Sequence, residues 1–298
     1  MKRALGLLTL LALVVGGSIL WVGRPGGETR VERSTRGAPQ VFDASGAARG
    51  GAARAAFNTT GTRMLTIGSD GVGVVEEGKV RIITPPQANI AAAAWVSGTT
   101  DVAVIQAPVA DRIALINADG NETGFVPLLP TVEVGAGHGL AIDSARRRAV
   151  LGVERRPALE AAQRYLVSID LSTGAVTDLS APGGPDEFDP YFLDDGHLLF
   201  TRVSDGGSEA VRRNLATGAE DVVAQNARAV GVVGSIPVFV SGRAVAAGSR
   251  DPQVLYRLAE GEAVVAVDPS GGRLALVEST ATGSRLRATE IPRPEPGV

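Results

Sequence analysis

The sequence has no cysteine, and only two of its 298 residues are histidine. The lack of thiols excludes disulfide bonds, thiolate catalysis and cysteine-ligated zinc or iron–sulfur sites. It also excludes a lipid anchor, which needs a cysteine at the cleavage site. Aromatic residues make up only 4% of the chain, and lysine occurs only at Lys2 and Lys79. A core must therefore be built mainly from Val, Leu, Ile and Ala.

The chain also lacks a large excess of charge of either sign. The net charge is −3, so no overall attraction to nucleic acid is expected. Hydrophobic residues make up 44% and charged residues 20% of the chain, which is typical of a folded protein. The preference for arginine over lysine, together with abundant Ala and Gly, indicates a GC-rich bacterial genome.

The N-terminus has the pattern of an export signal. Lys2 and Arg3 precede residues 4–23, a stretch without charge that is long enough to span a bilayer as an apolar helix. Small residues at 16–18 fit a cleaved signal peptide, whereas the apolar run that continues past them fits an uncleaved anchor. Residues 1–23 are therefore predicted to be a signal anchor or a signal peptide. We expect the rest of the chain to be extracytoplasmic, either membrane-anchored or secreted.

The remaining sequence divides into three parts. Residues 24–50 resemble a linker, interrupted by one strand candidate at Val41-Phe42. Residues 51–292 contain short runs of Val, Ile, Leu and Phe that alternate with turn signals, the pattern of an all-β domain. Only residues 157–164 have a helical composition, and residues 293–298 form a proline-rich tail.

A repeat runs through the all-β part. Its clearest copy extends from Pro190 to Ala224 and contains four predicted strands, as in one propeller blade. Weaker copies can be aligned on their first turn, and we call the residue at this turn the anchor of each copy. The anchors lie at positions 61, 98, 146, 196, 234 and 271. Their spacings of 37 to 50 residues predict a β-propeller of six four-stranded blades. The last blade lacks an outer strand, which Val41-Phe42 is predicted to supply and so close the ring.

Two of these copies carry a family resemblance. Asp189-Pro190-Tyr191-Phe192 and the following turn resemble the repeat of TolB-like, WD40-type propellers, in which an aromatic residue, a Ser-Pro-Asp-Gly turn and an apolar strand open each blade. Residues 267–276 match this turn, with the turn residues in a different order. The other four copies match by register only, and the chain has no room for the N-terminal domain of TolB itself. The resemblance implies a six-bladed periplasmic or cell-surface propeller that binds partners.

The candidate site residues lie where inner strands are expected to open onto a central channel. They are His138, Asp186, Asp189, Arg54 and Arg228. A channel mouth of mixed charge suits a peptide or a polar ligand. Asp186, Glu187 and Asp189 form an acidic cluster at this mouth, and the alternative interpretation of that cluster is a solvated acidic loop. The other histidine, His197, is expected to be an exposed strand residue.

No catalytic or metal-binding motif stands out, and no cofactor is predicted. We therefore expect a non-catalytic binding or scaffold propeller at the bacterial cell envelope, with a protein or peptide partner and no nucleic acid. Two alternatives remain open. One is a propeller lyase or hydrolase that uses His138 with Asp186 and Asp189 at the channel mouth. The other is a ligand sensor.

Overall fold

Short apolar runs separated by turns form six four-stranded antiparallel sheets, as the repeat predicts. The computed structural model describes residues 41–42, 54–68, 71–76, 79–84, 89–134, 139–155, 162–193, 195–280 and 283–294. At several range ends, Arg54 among them, only the backbone is described. Across these ranges there is no α-helix, and hence none that could cross a membrane. The predicted N-terminal helix and residues 1–23 lie outside the described residues.

Each of the first three sheets is formed by consecutive strands. Blade 1 contains β2 (Arg54–Phe57), β3 (Met64–Gly68), β4 (Gly71–Glu76) and β5 (Lys79–Ile82). Blade 2 contains β6 (Ile90–Trp95), β7 (Val102–Gln106), β8 (Val109–Ile116) and β9 (Glu122–Glu133). Blade 3 contains β10 (Leu140–Asp143), β11 (Arg148–Arg155), β12 (Gln163–Asp170) and β13 (Val176–Asp178).

The next two sheets repeat this order, and the sixth takes a strand from the other end of the chain. Blade 4 contains β14 (Asp186–Phe192), β15 (His197–Ser204), β16 (Gly207–Asn214) and β17 (Glu220–Gln225). Blade 5 contains β18 (Ala227–Val233), β19 (Ile236–Ser241), β20 (Ala244–Ala247) and β21 (Gln253–Arg257). Blade 6 contains β22 (Glu262–Val267), β23 (Arg273–Thr280), β24 (Gly283–Glu290) and β1 (Val41–Phe42).

The strand β1 occupies the outer position of blade 6. Val41 pairs with Arg287 and Phe42 with Leu286, both in an antiparallel arrangement. The outer edge of β24 is thereby covered at these two positions, which limits its pairing with another chain. Because β1 precedes blade 1 in the sequence, this pairing brings the two ends of the described chain into one sheet.

The first strands of the blades surround the axis. β2, β6, β10, β14, β18 and β22 contact one another in succession, and β22 contacts β2 again. This closed ring of contacts confirms the prediction of an all-β, six-bladed propeller. The inner strands therefore line a central channel, and their first residues open onto one of its ends.

Each blade buries both faces against its neighbours. Neighbouring residues in one strand consequently belong to different seams: Val150 packs between blades 3 and 4, and Leu151 packs between blades 2 and 3. Six apolar clusters fill the six seams in the described part of the molecule. Two buried faces explain why strands such as β6 and β7 are nearly continuous apolar runs.

The turns lie at the predicted anchor positions in every blade except blade 3. Gly61 has φ +69°, and a Cβ there would overlap the carboxylate of Asp268 in blade 6. Arg273 of blade 6 also donates to the carbonyl of Gly61, so this turn joins blade 6 to blade 1. In blade 3 the predicted anchor is wrong by one residue, because Arg147, with φ +50°, takes the position that glycine has elsewhere.

The predicted helical segment is wrong at its C-terminal end. Gln163 and Arg164 begin β12, where they pair with Arg155 and Glu154 of β11. Residues 156–161 lie outside the described part of the chain. Backbone hydrogen bonds to β11 therefore override the helical propensity of Gln163 and Arg164.

Candidate functional site

Asp186 lies in an ion pair between two blades. It is the first residue of β14 rather than part of a preceding loop. Arg164 of β12 donates to it through the backbone N–H at 3.0 Å and through Nε at 2.9 Å. The Arg164 guanidinium also stacks 4.1 Å from the ring centroid of Phe188. Asp186 is therefore directed towards blade 3, where Arg164 neutralises it.

Asp189 lies at an irregular point of the same strand. Its φ is +53°, and the register of β14 against β15 shifts between Phe188 and Tyr191. Its Oδ2 lies 3.5 Å from Nε of Arg228 in blade 5. On the other side, a Cβ on Gly139 would lie 3.2 Å from the Asp189 Cα and 2.8 Å from the Pro190 Cδ. The β-bulge thus places Asp189 in contact with both neighbouring blades.

The structure brings together two of the five predicted site residues, Asp189 and Arg228. The partner of Asp186 is in blade 3 and that of Asp189 is in blade 5, so the two carboxylates are directed to different neighbours. His138 and the side chain of Arg54 lie outside the described residues. Among the side chains that are described, no three His, Asp or Glu residues gather as a metal-binding group.

Glu187 is buried rather than part of a solvated acidic loop. Its side chain is 4% exposed and lies at the centre of an ionic network to which every strand of blade 4 contributes one residue. Arg202 and Arg213 donate to Glu187 at 2.7 Å and 2.9 Å. Both arginines also donate to Glu220, each at 2.6 Å. We call these four residues, Glu187, Arg202, Arg213 and Glu220, the blade 4 network.

The blade 4 network also crosses the seam to blade 3. Ser180 donates its hydroxyl to Glu187 at 2.6 Å, and the carbonyl of Leu179 accepts from Nη1 of Arg213 at 3.1 Å. Beneath the network, the Arg213 guanidinium lies 4.7 Å from the ring centroid of Phe200, which belongs to the apolar cluster of the same seam. The charged side chains therefore continue the contact between blades 3 and 4 beyond its apolar part.

Hydrogen bonds within the network favour the ionised forms of Glu220 and Arg202. Burial alone would raise the pKa of Glu220, but hydrogen bonds from Arg202 and Arg213 outweigh it and hold this pKa below its usual range. Burial likewise opposes the charge on Arg202, yet its hydrogen bonds to Glu187 and Glu220 raise its pKa above the ordinary value. These groups consequently do not exchange protons near neutral pH, unlike a general acid or base.

A cleft of about 510 Å³ adjoins the blade 4 network. This volume is within the range of small-molecule sites, about 300–1,000 Å³. Blade 3 and the loop into β14 supply one wall, and blade 4 supplies the other. The lining residues are Asp178, Leu179, Ala181, Pro185, Glu187, Arg202, Arg213, Asn214, Leu215, Gly218 and Glu220.

Sequence reasoning missed this cleft and most of its residues. Arg213 is 9% exposed in a strand whose neighbours Ala210 and Val211 are fully buried. A charged residue at a buried strand position indicates a buried ion pair, but the sequence did not reveal the partners of Arg213.

His197, expected to be exposed, begins β15 with its side chain 25% exposed and Nδ1 2.9 Å from Asp195. Its packing beside Asn214 explains the difference.

No protein-family model matches the chain, and no curated protein matches it either. Solved structures do resemble its fold. TolB from Acinetobacter baumannii superposes with a TM-score of 0.51 at 12% identity, covering 81% of this chain and 65% of TolB. The chain thus spans less than two thirds of TolB. The match supports a TolB-like fold, as predicted, but at this identity it shows the fold alone.

Enzymes and binding proteins both occur among the other similar structures. XC5397 from Xanthomonas campestris, described as a gluconolactonase, has a TM-score of 0.58 at 16% identity, with 90% of this chain and 99% of that chain covered. A structure of a nidogen/laminin complex has a TM-score of 0.52 at 12% identity, covering 76% and 86%. The shared fold therefore leaves both binding and catalysis open.

Proposed function

We propose that this protein is a non-catalytic binding or scaffold propeller of the bacterial cell envelope, and that its channel mouth engages a protein or peptide partner. The observation that carries the proposal is the interblade pairing of Asp189 with Arg228. The Arg228 side chain remains 49% exposed, whereas Asp189 is largely covered. The mouth thereby presents a charge in a fixed position, which favours selective recognition of a partner.

The ionisation of two carboxylates, Glu220 and Glu262, supports binding over acid–base chemistry. Glu220 and Glu262 both have lowered pKa values, because hydrogen bonds outweigh the effect of burial on each carboxyl. Glu220 accepts them from Arg202 and Arg213, and Glu262 accepts them from the backbone N–H of Ala259 and from Arg287. A catalytic acid or base instead needs a pKa near the working pH. The nidogen/laminin complex offers an example of this fold in a protein assembly.

An envelope location is part of the proposal. Residues 4–23 would tether the propeller to the membrane or direct its export, which places residues 51–292 outside the cytoplasm. TolB, whose fold is similar, supports this location by analogy only.

Charge reversal at the mouth tests the proposal. The full chain, crosslinked in cells and recovered from envelope extracts, is expected to bring down a reproducible partner. Arg228→Glu should reduce recovery of that partner because it reverses the exposed mouth charge. Arg81→Glu is the matched control: Arg81 is also an exposed arginine paired with an aspartate, but it lies on outer strand β5. No partner, or equal losses in both variants, would contradict the proposal.

A second candidate is a hydrolase or lyase at the same mouth. Gly139, which directly follows His138 in the sequence, packs against Asp189 and Pro190. The fold of XC5397 supports hydrolysis of a sugar lactone as the reaction to assay. Turnover by the full chain that His138→Ala abolishes, with unchanged melting temperature, would favour this candidate. Unchanged turnover in His138→Ala would reject it.

A further inference from the structure

The cleft between blades 3 and 4 has the features of a second binding site. We propose that it binds an uncharged segment of peptide, through one backbone amide and one small aliphatic side chain. This inference rests on the proposed function, because the segment would belong to the same partner. It places a specific contact in the seam between blades 3 and 4, at residues other than the Asp189–Arg228 pair.

The charges in the cleft favour an uncharged ligand. Glu187 and Glu220 are each held by both arginines of the blade 4 network, so two negative and two positive charges compensate each other. Asp178, which also lines the cleft, has an interaction of its own within the protein. A charged ligand would lose its hydration without gaining an unpaired counter-charge, which is unfavourable.

Hydrogen-bonding capacity nevertheless remains in the network. Nη1 of Arg202 donates to no acceptor among the residues that the structure describes, although Nε and Nη2 both donate to Glu187. Oε1 of Glu220 lies 2.6 Å from both Nε and Nη2 of Arg213, whereas Oε2 accepts one hydrogen bond, from Arg202, and retains a free lone pair. A donor beside an acceptor matches the C=O and N–H of one peptide amide.

The walls of the cleft supply apolar contact. Leu179, Ala181 and Pro185 line it from the blade 3 side, and Leu215 lines it from blade 4. These side chains are aliphatic and partly accessible, so a small aliphatic side chain of the ligand would bury apolar surface against them. The combination of one amide and one aliphatic group fits an extended peptide.

Three related probes test the charge requirement. N-acetyl-leucine N-methylamide is uncharged, N-acetyl-leucine carries a carboxylate, and leucine N-methylamide carries an ammonium group. We expect saturation-transfer NMR with the full chain to detect the uncharged probe, with a Kd on the order of 1 mM for so small a ligand. Equal or tighter binding of either charged probe would overturn the proposal, as would no binding of the uncharged one.

A bulky substitution tests the location. Ala181→Trp should fill the cleft and abolish saturation transfer without touching the blade 4 network. Ala259→Trp is the matched control, because Ala259 is an exposed alanine in the corresponding loop between β21 and β22. Pro185→Trp, on the same wall of the cleft, provides a second variant if Ala181→Trp does not fold. Transfer that persists in a folded cleft variant, or that is equally lost in Ala259→Trp, would overturn the assignment.

The two proposals can fail separately. If a partner is recovered and Arg228→Glu reduces its recovery, but the uncharged probe does not bind, the cleft proposal fails and the proposed function stands. If no partner is recovered while the probe binds in the cleft, the proposed function fails, and with it the assignment of the peptide segment to a partner at the channel mouth.

Discussion

Blade 3 has two neighbours, and its seams with them are built differently. Against blade 2 it packs a cluster of seventeen buried residues, all of them apolar apart from the hydroxyl of Tyr165. Against blade 4 the corresponding cluster has five residues, and the blade 4 network and the cleft lie beyond it. In the described part of the chain, blade 3 thus has one seam built from apolar packing alone and one seam in which charged side chains and a cleft adjoin the apolar packing.

The largest effect should come from Glu187 in the charged seam. Glu187→Ala leaves Arg202 and Arg213 without their shared buried carboxylate, and breaking a buried pair in this way costs about 3–5 kcal/mol of unfolding free energy. Urea denaturation at pH 7 measures the loss. Glu122→Ala, which removes an exposed partner of Arg112, should cost less than about 1 kcal/mol. Equal small losses in both variants would contradict a structural role for the blade 4 network.

Substitution of Leu151 tests the apolar seam between blades 2 and 3. It is fully buried between blades 2 and 3, and Leu151→Ala removes apolar contacts and leaves a cavity. A loss of about 3 kcal/mol is expected from the same urea experiment. This loss should not change between low salt and 1 M NaCl, because no charge is involved, whereas the effect of Glu187→Ala should depend on salt. A salt-dependent Leu151→Ala effect would remove the distinction between the seams.

Acid should weaken the charged seam selectively. The folded-state pKa of Glu220 is below its ordinary value of about 4.5, so its stabilising contribution is complete above that pH. As the pH falls from 4.5 through the folded-state pKa, the unfolded chain binds more protons and this contribution is lost. Glu220→Gln should therefore lose less stability between pH 7 and pH 4 than the wild type. Leu151→Ala should lose as much as the wild type, and parallel curves for all three would contradict the assignment.

The smallest effect is expected at the channel mouth. Arg228 is half exposed and lies 3.5 Å from Asp189, so solvent screens the pair. Arg228→Ala should change the unfolding free energy by less than about 1 kcal/mol, measured by urea denaturation. A larger loss would mean that Arg228 holds blades 4 and 5 together, and partner recovery with Arg228→Glu would then need to be judged against its stability.

Much of the fold could be predicted because it depends on a local, repeated pattern. Alternating apolar runs and turn signals are present in every blade, so the strands and the blade number follow from them. The errors occurred where a turn lacked glycine, as at Arg147, or where tertiary pairing overrode a helical composition, as at Arg164. Both decisions depend on neighbours that are distant along the chain or on the backbone geometry of a single residue.

The candidate site could be predicted only in part. Sequence position placed Asp189 and Arg228 at the openings of neighbouring inner strands, and the structure brings them together. It also grouped Asp186, Glu187 and Asp189 as one acidic cluster. The structure separates them, because successive side chains of a strand point to opposite faces and a β-bulge changes the direction of Asp189.

The sequence by itself determined that this protein is an all-β propeller without thiol chemistry, since composition and a repeated period carry that information. Only the tertiary structure decided which charges meet. Arg213 and Glu187 are 26 positions apart, and their contact requires β14 and β16 to lie in one sheet beside blade 3. Ion pairs and clefts between blades depend on separations of a few ångströms between distant residues, and the period of the repeat does not encode those distances.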